Sequence, residues 1–131
     1  MRRQRTHDTG TERALRTELH RRGLRYRLHR RPLPDLRREA DLLIAKLRLA
    51  VFVDGCFWHG CPAHASWPKN NAEFWRAKIE TNRERDRDTD DTLRAAGWTV
   101  VRVWEHEDAE RAADRIMEVV VLLRENSETN R

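Results

Sequence analysis

The sequence has no apolar stretch approaching the ~20 residues that a membrane-spanning helix needs. Its N-terminus is basic, but no apolar h-region follows, so it carries no recognisable secretory signal. Internal repeats and signs of a second domain are also lacking among its 131 residues. These absences predict a single-domain cytoplasmic protein without a membrane partner.

Cysteine is scarce, and the two cysteines lie close together at Cys56 and Cys61. In a reducing compartment, such a pair flanked by histidines suits a metal site better than a disulfide. With His64 it supplies three of the four nitrogen or sulfur ligands of a tetrahedral zinc site. His106, just past a predicted strand, is the best candidate for the fourth ligand. Two alternatives remain: His59 could replace His64, or both cysteines could be buried free thiols.

Acidic residues are outnumbered, because the chain has 22 Asp and Glu against 27 Lys and Arg and a formal charge of +5. The excess of basic over acidic residues lies mainly in the segment up to residue 48, where arginine occurs in pairs at 21–22, 30–31 and 37–38. A net charge of this sign favours a polyanionic partner and raises the prior for nucleic acid. The alternative is an arginine-rich surface that is merely solvated.

Apolar spacing predicts three helices and four strands. The predicted helices cover 12–22, 72–96 and 109–124, and the predicted strands cover 24–29, 40–45, 49–53 and 98–104. Gly23 and Gly97 are natural stops for the first two helices. The strands at 40–45 and 49–53 are continuous apolar runs with a tight connection, which predicts an antiparallel hairpin buried on both faces.

This order of elements predicts an α/β fold in which a central mixed β-sheet is flanked by α-helices. We expect a flexible basic arm over residues 1–8, one domain over 9–125 and a polar tail over 126–131.

One acidic residue, Asp41, lies in an apolar strand, where a charge is costly unless it binds something. The hairpin would bring it to the Val53–Asp54 end of the next strand, where carboxylate and carbonyl oxygens suit magnesium. Magnesium can stabilise a phosphate under in-line attack, and His59 is placed to take the proton from the attacking water. Glu12 is the natural further carboxylate. The alternative for Asp41 is a solvated residue at the start of its strand.

Three aromatic residues stand near these candidates: Phe57 and Trp58 in the cysteine loop, and Trp75 on the first turns of the long helix. Two adjacent loop residues cannot both point into the core. Aromatic side chains that wedge between base steps unstack and kink DNA. The alternative is that these rings pack under the zinc loop.

Several motifs follow one another in unbroken order over residues 8–106. They are Asp8-Thr9-Gly10-Thr11-Glu12; Phe52-Val53-Asp54-Gly55-Cys56-Phe57-Trp58-His59-Gly60-Cys61-Pro62; Glu73-Phe74-Trp75 with Lys78-Ile79, Asn82 and Glu84-Arg85-Asp86; and Gly97-Trp98 with Val103-Trp104-Glu105. In this order they resemble the very-short-patch-repair (Vsr) DNA mismatch endonucleases.

The resemblance implies a restriction-endonuclease-like fold with a structural zinc ion. It implies magnesium-dependent nicking of one strand beside the thymine of a T:G mismatch, the lesion left when 5-methylcytosine deaminates. The implied partner is double-stranded DNA containing that mismatch, bound by a nucleoid-associated monomer with a functional link to a DNA cytosine methyltransferase.

By position, the resemblance also implies a role for each candidate residue. Asp41 binds magnesium together with the backbone carbonyl of Val53. His59 activates the water, and Glu12 supports the site. The aromatic positions that intercalate beside the mismatch are Phe57, Trp58 and Trp75. The residues at or near zinc-ligand positions are Cys56, Cys61, His64 and His106.

The chain departs from the family pattern at three of these places. Val53 stands where the family can have threonine, but a backbone ligand does not depend on the side chain. Asp54 stands where some members have another active-site histidine, so it can change proton handling or add a metal ligand. His106 replaces a frequent cysteine.

Two other functions stay open at this point. One is a related nicking endonuclease of a restriction or mobile-element system, without mismatch preference. The other is a zinc-stabilised DNA-binding module with no activity, although binding alone would require neither Asp41 nor His59.

Overall fold

The structure, a computed structural model, describes residues 10–55 and 72–129. In these two ranges it has three α-helices and four β-strands. They are α1 (Gly10–Arg21), β1 (Arg27–Arg30), β2 (Ala40–Ile44), β3 (Leu49–Asp54), α2 (Ala72–Ala95), β4 (Thr99–Trp104) and α3 (Ala109–Thr129). The predicted kinds and order of elements are confirmed. The last helix is longer than predicted and continues into the segment expected to be a polar tail.

The four strands form one mixed sheet in the order β1-β2-β3-β4. Strand β2 is antiparallel to both β1 and β3, whereas β3 and β4 are parallel. The predicted hairpin is therefore confirmed, and Leu42 pairs with Val51 across it. Its connection is a 3-10 turn over Ala45–Leu47, closed by Arg48 in a left-handed conformation at φ 53°.

The sheet has a hydrophobic core on each face. One core joins α1 and α3 to the strands through fully buried residues such as Leu15, Val51 and Ile116. The other packs Leu93 of α2 against the opposite face, which includes Phe52. Alternating residues of the strands thus pack into two separate hydrophobic cores, one on each face of the sheet. The prediction of a mixed sheet flanked by helices is confirmed. The finer prediction of a restriction-endonuclease-like fold with structural zinc stays a prediction.

The first two helices end at the predicted glycines. Gly23 and Gly97 adopt left-handed conformations at φ 85° and 90°. After α1, the Gly23 N–H donates to the carbonyl of His20, and the Leu24 N–H donates to that of Leu19. This pair of hydrogen bonds is a Schellman motif, and it turns the chain from α1 toward β1.

No helix within residues 10–55 and 72–129 is both long enough and apolar enough to cross a membrane.

Candidate active site

Asp41 and Val53 meet across the hairpin, as predicted. The backbone N–H of Val53 donates to Asp41 Oδ2 over 2.6 Å. Asp41 lies near the start of β2 and Val53 near the end of β3, so the antiparallel pairing brings them to one edge of the sheet. The hydrogen bond fixes one carboxylate oxygen against the strand and leaves Oδ1 to face other partners.

The environment of Asp41 keeps its side chain protonated to a higher pH than is usual for an aspartate. Burial raises the pKa of Asp41 to about 7, and the negative charges of Glu12 and Asp54 act in the same direction. The hydrogen bond from Val53 and the positive charge of Arg102 oppose this shift without cancelling it. A buried carboxyl with a pKa near neutrality is a common feature of functional sites.

Glu12 is the second carboxylate at this edge, and it is buried. It lies in the first turn of α1, where its Oε2 is 3.6 Å from Nη1 of Arg16. The neighbouring Thr11 hydroxyl donates to the backbone carbonyl of Glu105, just beyond β4. This contact ties the start of α1 to the sheet edge where Asp41 lies, so the two predicted catalytic carboxylates come together.

His29 completes this cluster, although it was not among the site residues predicted from the sequence. Its Nε2 lies 3.2 Å from Oε2 of Glu12, and its Nδ1 lies 3.9 Å from Oδ1 of Asp41. Single ligand atoms from the three residues all lie within 4.8 Å of one another. One feature of the sequence could have indicated this role: His29 ends a predicted strand, and that strand had to pair next to the β2–β3 hairpin.

The Glu12, His29 and Asp41 side chains have donors suited to a divalent cation. Oxygen ligands lie about 2.0 to 2.1 Å from magnesium, so two ligands of one ion are at most about 4.2 Å apart. The separations of 3.2 Å between His29 and Glu12 and of 3.9 Å between His29 and Asp41 fall within this span. The chemistry of the donors also fits, because carboxylates suit hard cations and imidazole suits transition metals.

A second charged cluster, also missed in the sequence, joins β3, β4 and α2. The Arg102 guanidinium donates to Asp54 and to Asp90, with shortest distances of 2.8 Å in both cases. Its Nη1 lies 3.8 Å from Asp86, and its Cζ lies 4.4 Å from the centre of the Phe52 ring. Asp54, where some family members have a histidine, is here buried in an ion pair beside the Val53 backbone.

Most of the predicted zinc and loop residues lie outside the described ranges. They are Cys56, Phe57, Trp58, His59, Cys61 and His64. The remaining zinc candidate, His106, is exposed in the turn after β4. Asp54 lies opposite Trp104 in the pairing of β3 with β4. The backbone N–H of Glu105, the residue after Trp104, donates to the Asp54 carbonyl over 2.9 Å. The predicted adjacency of the two strands is confirmed, whereas the zinc ligands stay a prediction.

The third predicted aromatic contact, Trp75, is half-buried near the start of α2. Its ring meets that of Phe74 edge-on, with centroids 5.1 Å apart and an interplanar angle of 78°. Phe74 is the more exposed of the pair at 53%, and the ammonium group of Lys78 lies 5.8 Å from its ring centre. Of these two rings, only that of Trp75 was predicted from the sequence to contact DNA.

Comparison with known proteins finds one family and several relatives. The family model described as "DNA mismatch endonuclease Vsr" matches residues 1–65. The chain is 38% identical over 124 residues to the "Type II nicking enzyme V.NaeI" of Lentzea aerocolonigenes, covering 93% of this chain and 75% of that protein. It is 42% identical over 104 residues to the "Type II nicking enzyme V.XorIIP" of Xanthomonas oryzae pv. oryzae, covering 79% and 74%.

A further relative carries the same name as the family model. The chain is 37% identical over 101 residues to the "DNA mismatch endonuclease Vsr" of Escherichia coli strain K12. This match covers 76% of the chain and 63% of the relative.

Proposed function

Because this chain belongs to the Vsr family of DNA mismatch endonucleases, we propose that it is an endonuclease that nicks one strand of duplex DNA. The observation that carries the proposal is the convergence of Glu12 and Asp41, two carboxylates from distant segments, at one sheet edge beside Val53. Two carboxylates held close together repel each other when both are ionised, which is unfavourable for folding. A cation that both can bind explains why they converge.

In this proposal, Asp41, Glu12 and the backbone carbonyl of Val53 hold Mg²⁺. When bound, Mg²⁺ supplies positive charge that stabilises the extra negative charge on a phosphate attacked by water. The Val53 N–H holds Asp41 Oδ2, which orients the carboxylate and leaves its other oxygen available as a ligand. Since ligation requires the ionised carboxylate, Asp41 must lose its proton before the site can be loaded.

His59 is the proposed general base that takes the proton from the attacking water. Support for this role is positional: it follows Asp54, the last residue of β3, by five positions, and β3 ends at the edge where Asp41 lies. The structural zinc proposed for Cys56, Cys61, His64 and His106 would hold this segment to the end of β4. The described contacts between β3 and β4 support that placement of His106.

The proposed substrate is duplex DNA with a T:G mismatch, and the proposed product is a nick beside the thymine. Two considerations support this choice: the names of the matching family model and the E. coli relative, and the aromatic positions Phe57, Trp58 and Trp75. Wedging a ring between bases costs about a few kcal/mol per step and costs least at a mismatch.

Nicking without mismatch preference is the second candidate function. The names of two relatives favour it, because V.NaeI and V.XorIIP are described as nicking enzymes and their names mention no mismatch. A DNA-binding module without activity is less well supported, since binding phosphates requires basic residues, not a buried pair of carboxylates.

A strand-specific nicking assay with Mg²⁺ tests the proposal. It compares duplexes that differ only in a single T:G or T:A pair, in several sequence contexts. We expect the T:G duplex to be nicked on the thymine strand. We expect Asp41→Asn to lower the rate by about 100-fold or more, because loss of even the outer partners of metal ligands commonly costs about 10- to 100-fold. Asp35→Asn, which changes an exposed carboxylate in the loop before β2, is the matched control.

The outcomes separate the three functions. Equal nicking of the T:G and T:A duplexes contradicts mismatch specificity and supports the second candidate. Salt-dependent DNA binding without any Mg²⁺-dependent nick contradicts the endonuclease proposal itself.

A further inference from the structure

The imidazole of His29 lies between the two carboxylates of the candidate active site. One ring nitrogen is 3.2 Å from Glu12 Oε2, and the other is 3.9 Å from Asp41 Oδ1. The side chains are shielded from water, with exposures of 21% for His29, 13% for Asp41 and 2% for Glu12. A histidine in this position is within reach of any cation that both carboxylates bind.

The backbone around His29 is consistent with a specifically directed side chain. Leu28 pairs with Leu42, and Arg30 pairs with Ala40, so His29 lies between these pairs and opposite Asp41. Its φ of 52° is in the left-handed region, which non-glycine residues seldom adopt inside a strand. Backbone conformations of this kind are concentrated at functional sites.

We propose that His29 is the third side-chain ligand of the active-site cation, so that the site binds Mn²⁺ more tightly than Mg²⁺. The inference rests on the proposed function for the presence of a cation at Glu12 and Asp41. Mg²⁺ takes oxygen ligands almost exclusively, whereas an imidazole nitrogen is a good ligand for first-row transition metals. Among the three side chains, His29 therefore decides which ion is preferred.

A rival explanation assigns His29 a purely electrostatic role. A protonated imidazole between two carboxylates would hold them together without any metal. The two explanations differ in the effect of removing the ring. Loss of a nitrogen ligand weakens the binding of Mn²⁺ selectively, whereas loss of a positive charge strengthens the binding of Mg²⁺ and Mn²⁺ alike.

The first test is spectroscopic and does not depend on activity. Mn²⁺ is added to the full, zinc-loaded chain, and electron spin echo envelope modulation records coupling between the ion and nearby nitrogen nuclei. We expect ¹⁴N coupling in the wild type, its replacement by ¹⁵N coupling when histidine is ¹⁵N-labelled, and its loss in His29→Gln. Asp41→Asn should abolish the bound Mn²⁺ signal, which locates the ion at this site.

The second test measures affinity by Mn²⁺ titration and by Mg²⁺ competition. We expect His29→Gln to weaken Mn²⁺ binding by about 10-fold or more, with Mg²⁺ binding changed by less than about 3-fold. His20→Gln, which alters an exposed histidine of α1, is the matched control and should leave both affinities unchanged. If His29→Gln does not fold, the ¹⁵N-histidine-labelled spectrum of His59→Gln decides the question, because coupling that persists there does not come from the other histidine proposed at this site.

Several results would overturn the inference: bound Mn²⁺ without nitrogen coupling, coupling that persists in His29→Gln, or an affinity gain for both ions in that variant. Failure of the proposed function is distinguishable from these. A wild type that shows histidine coupling but nicks no DNA contradicts the proposed endonuclease activity only. A wild type that nicks DNA but binds Mn²⁺ through oxygen alone contradicts only the role of His29.

Discussion

The buried carboxylate of Asp41 makes the stability of the metal-free protein depend on pH. The substitution Asp41→Asn removes the ionisable group and keeps a side-chain oxygen that can accept the 2.6 Å hydrogen bond from Val53. The variant should therefore resemble the wild type when Asp41 is protonated and differ from it when Asp41 is ionised. This difference isolates the free-energy cost of ionising the carboxylate inside the fold.

The size of the effect follows from the pKa. Burial and the negative charges of Glu12 and Asp54 raise the pKa of Asp41 in the folded state to about 7, whereas the ordinary value is 3.8. A raised pKa means that the folded protein binds the proton more tightly than the unfolded chain does. The stabilisation by this proton is complete below about pH 4 and is lost as the pH rises through 7. The shift of about three pKa units corresponds to about 4 kcal/mol.

The assay is urea denaturation of the protein purified in the presence of Zn²⁺, without added Mg²⁺ or Mn²⁺, between about pH 4 and pH 8. We expect Asp41→Asn to have little effect near pH 4 and to raise the free energy of unfolding by up to ~4 kcal/mol near pH 8. Asp35→Asn is the control for an exposed carboxylate. A stability difference that stays constant with pH, or a variant less stable than the wild type near pH 8, would refute the reasoning.

Three further predictions follow from the same contacts. Because a cation must displace the proton of Asp41, Mg²⁺ affinity measured by calorimetry should fall about tenfold per pH unit below pH 7, and a flat profile would contradict this. Arg102→Met should lower the free energy of unfolding by about 3–5 kcal/mol, because it leaves the buried Asp54 and the half-buried Asp90 without their counter-charge; an unchanged denaturation midpoint would exclude that role. Elemental analysis should find about one zinc per chain and less in His106→Ala, and a folded, metal-free wild type would contradict the proposed ligand set.

The confirmed parts of the fold are those that depend on local patterns. Continuous apolar runs predicted the β2–β3 hairpin, because strands buried on both faces need apolar residues at successive positions. Gly97 predicted the end of α2, because glycine readily adopts the left-handed conformation that ends a helix. The end of α3 was placed too early, since its last turns carry polar residues that resemble a tail. Helix boundaries are the least reliable part of such reasoning, because exposed polar residues are compatible with both helix and coil.

The missed parts of the site depend on contacts between distant segments. His29 is one of several polar residues in the short strand β1, and only the register of β1 against β2 brings it to Asp41. Arg102 lies between two valines in β4, so in the sequence it resembles a residue on the solvent-exposed face of the strand. Its binding to Asp54 and Asp90 requires α2 to cross that face, which no local pattern reveals.

The sheet topology explains why Glu12, His29, Asp41 and Val53 lie at one edge of the sheet. Antiparallel pairing brings the end of β1 and the end of β3 to the start of β2, and parallel pairing brings the end of β4 beside that of β3. Thr11 fastens the start of α1 to the same edge. Chain segments far apart in sequence therefore deliver Glu12, His29 and Asp41 to one place. Three of the predicted zinc ligands and His59 follow β3 in the sequence, and His106 follows β4, so the chain leaves this same edge toward all of them.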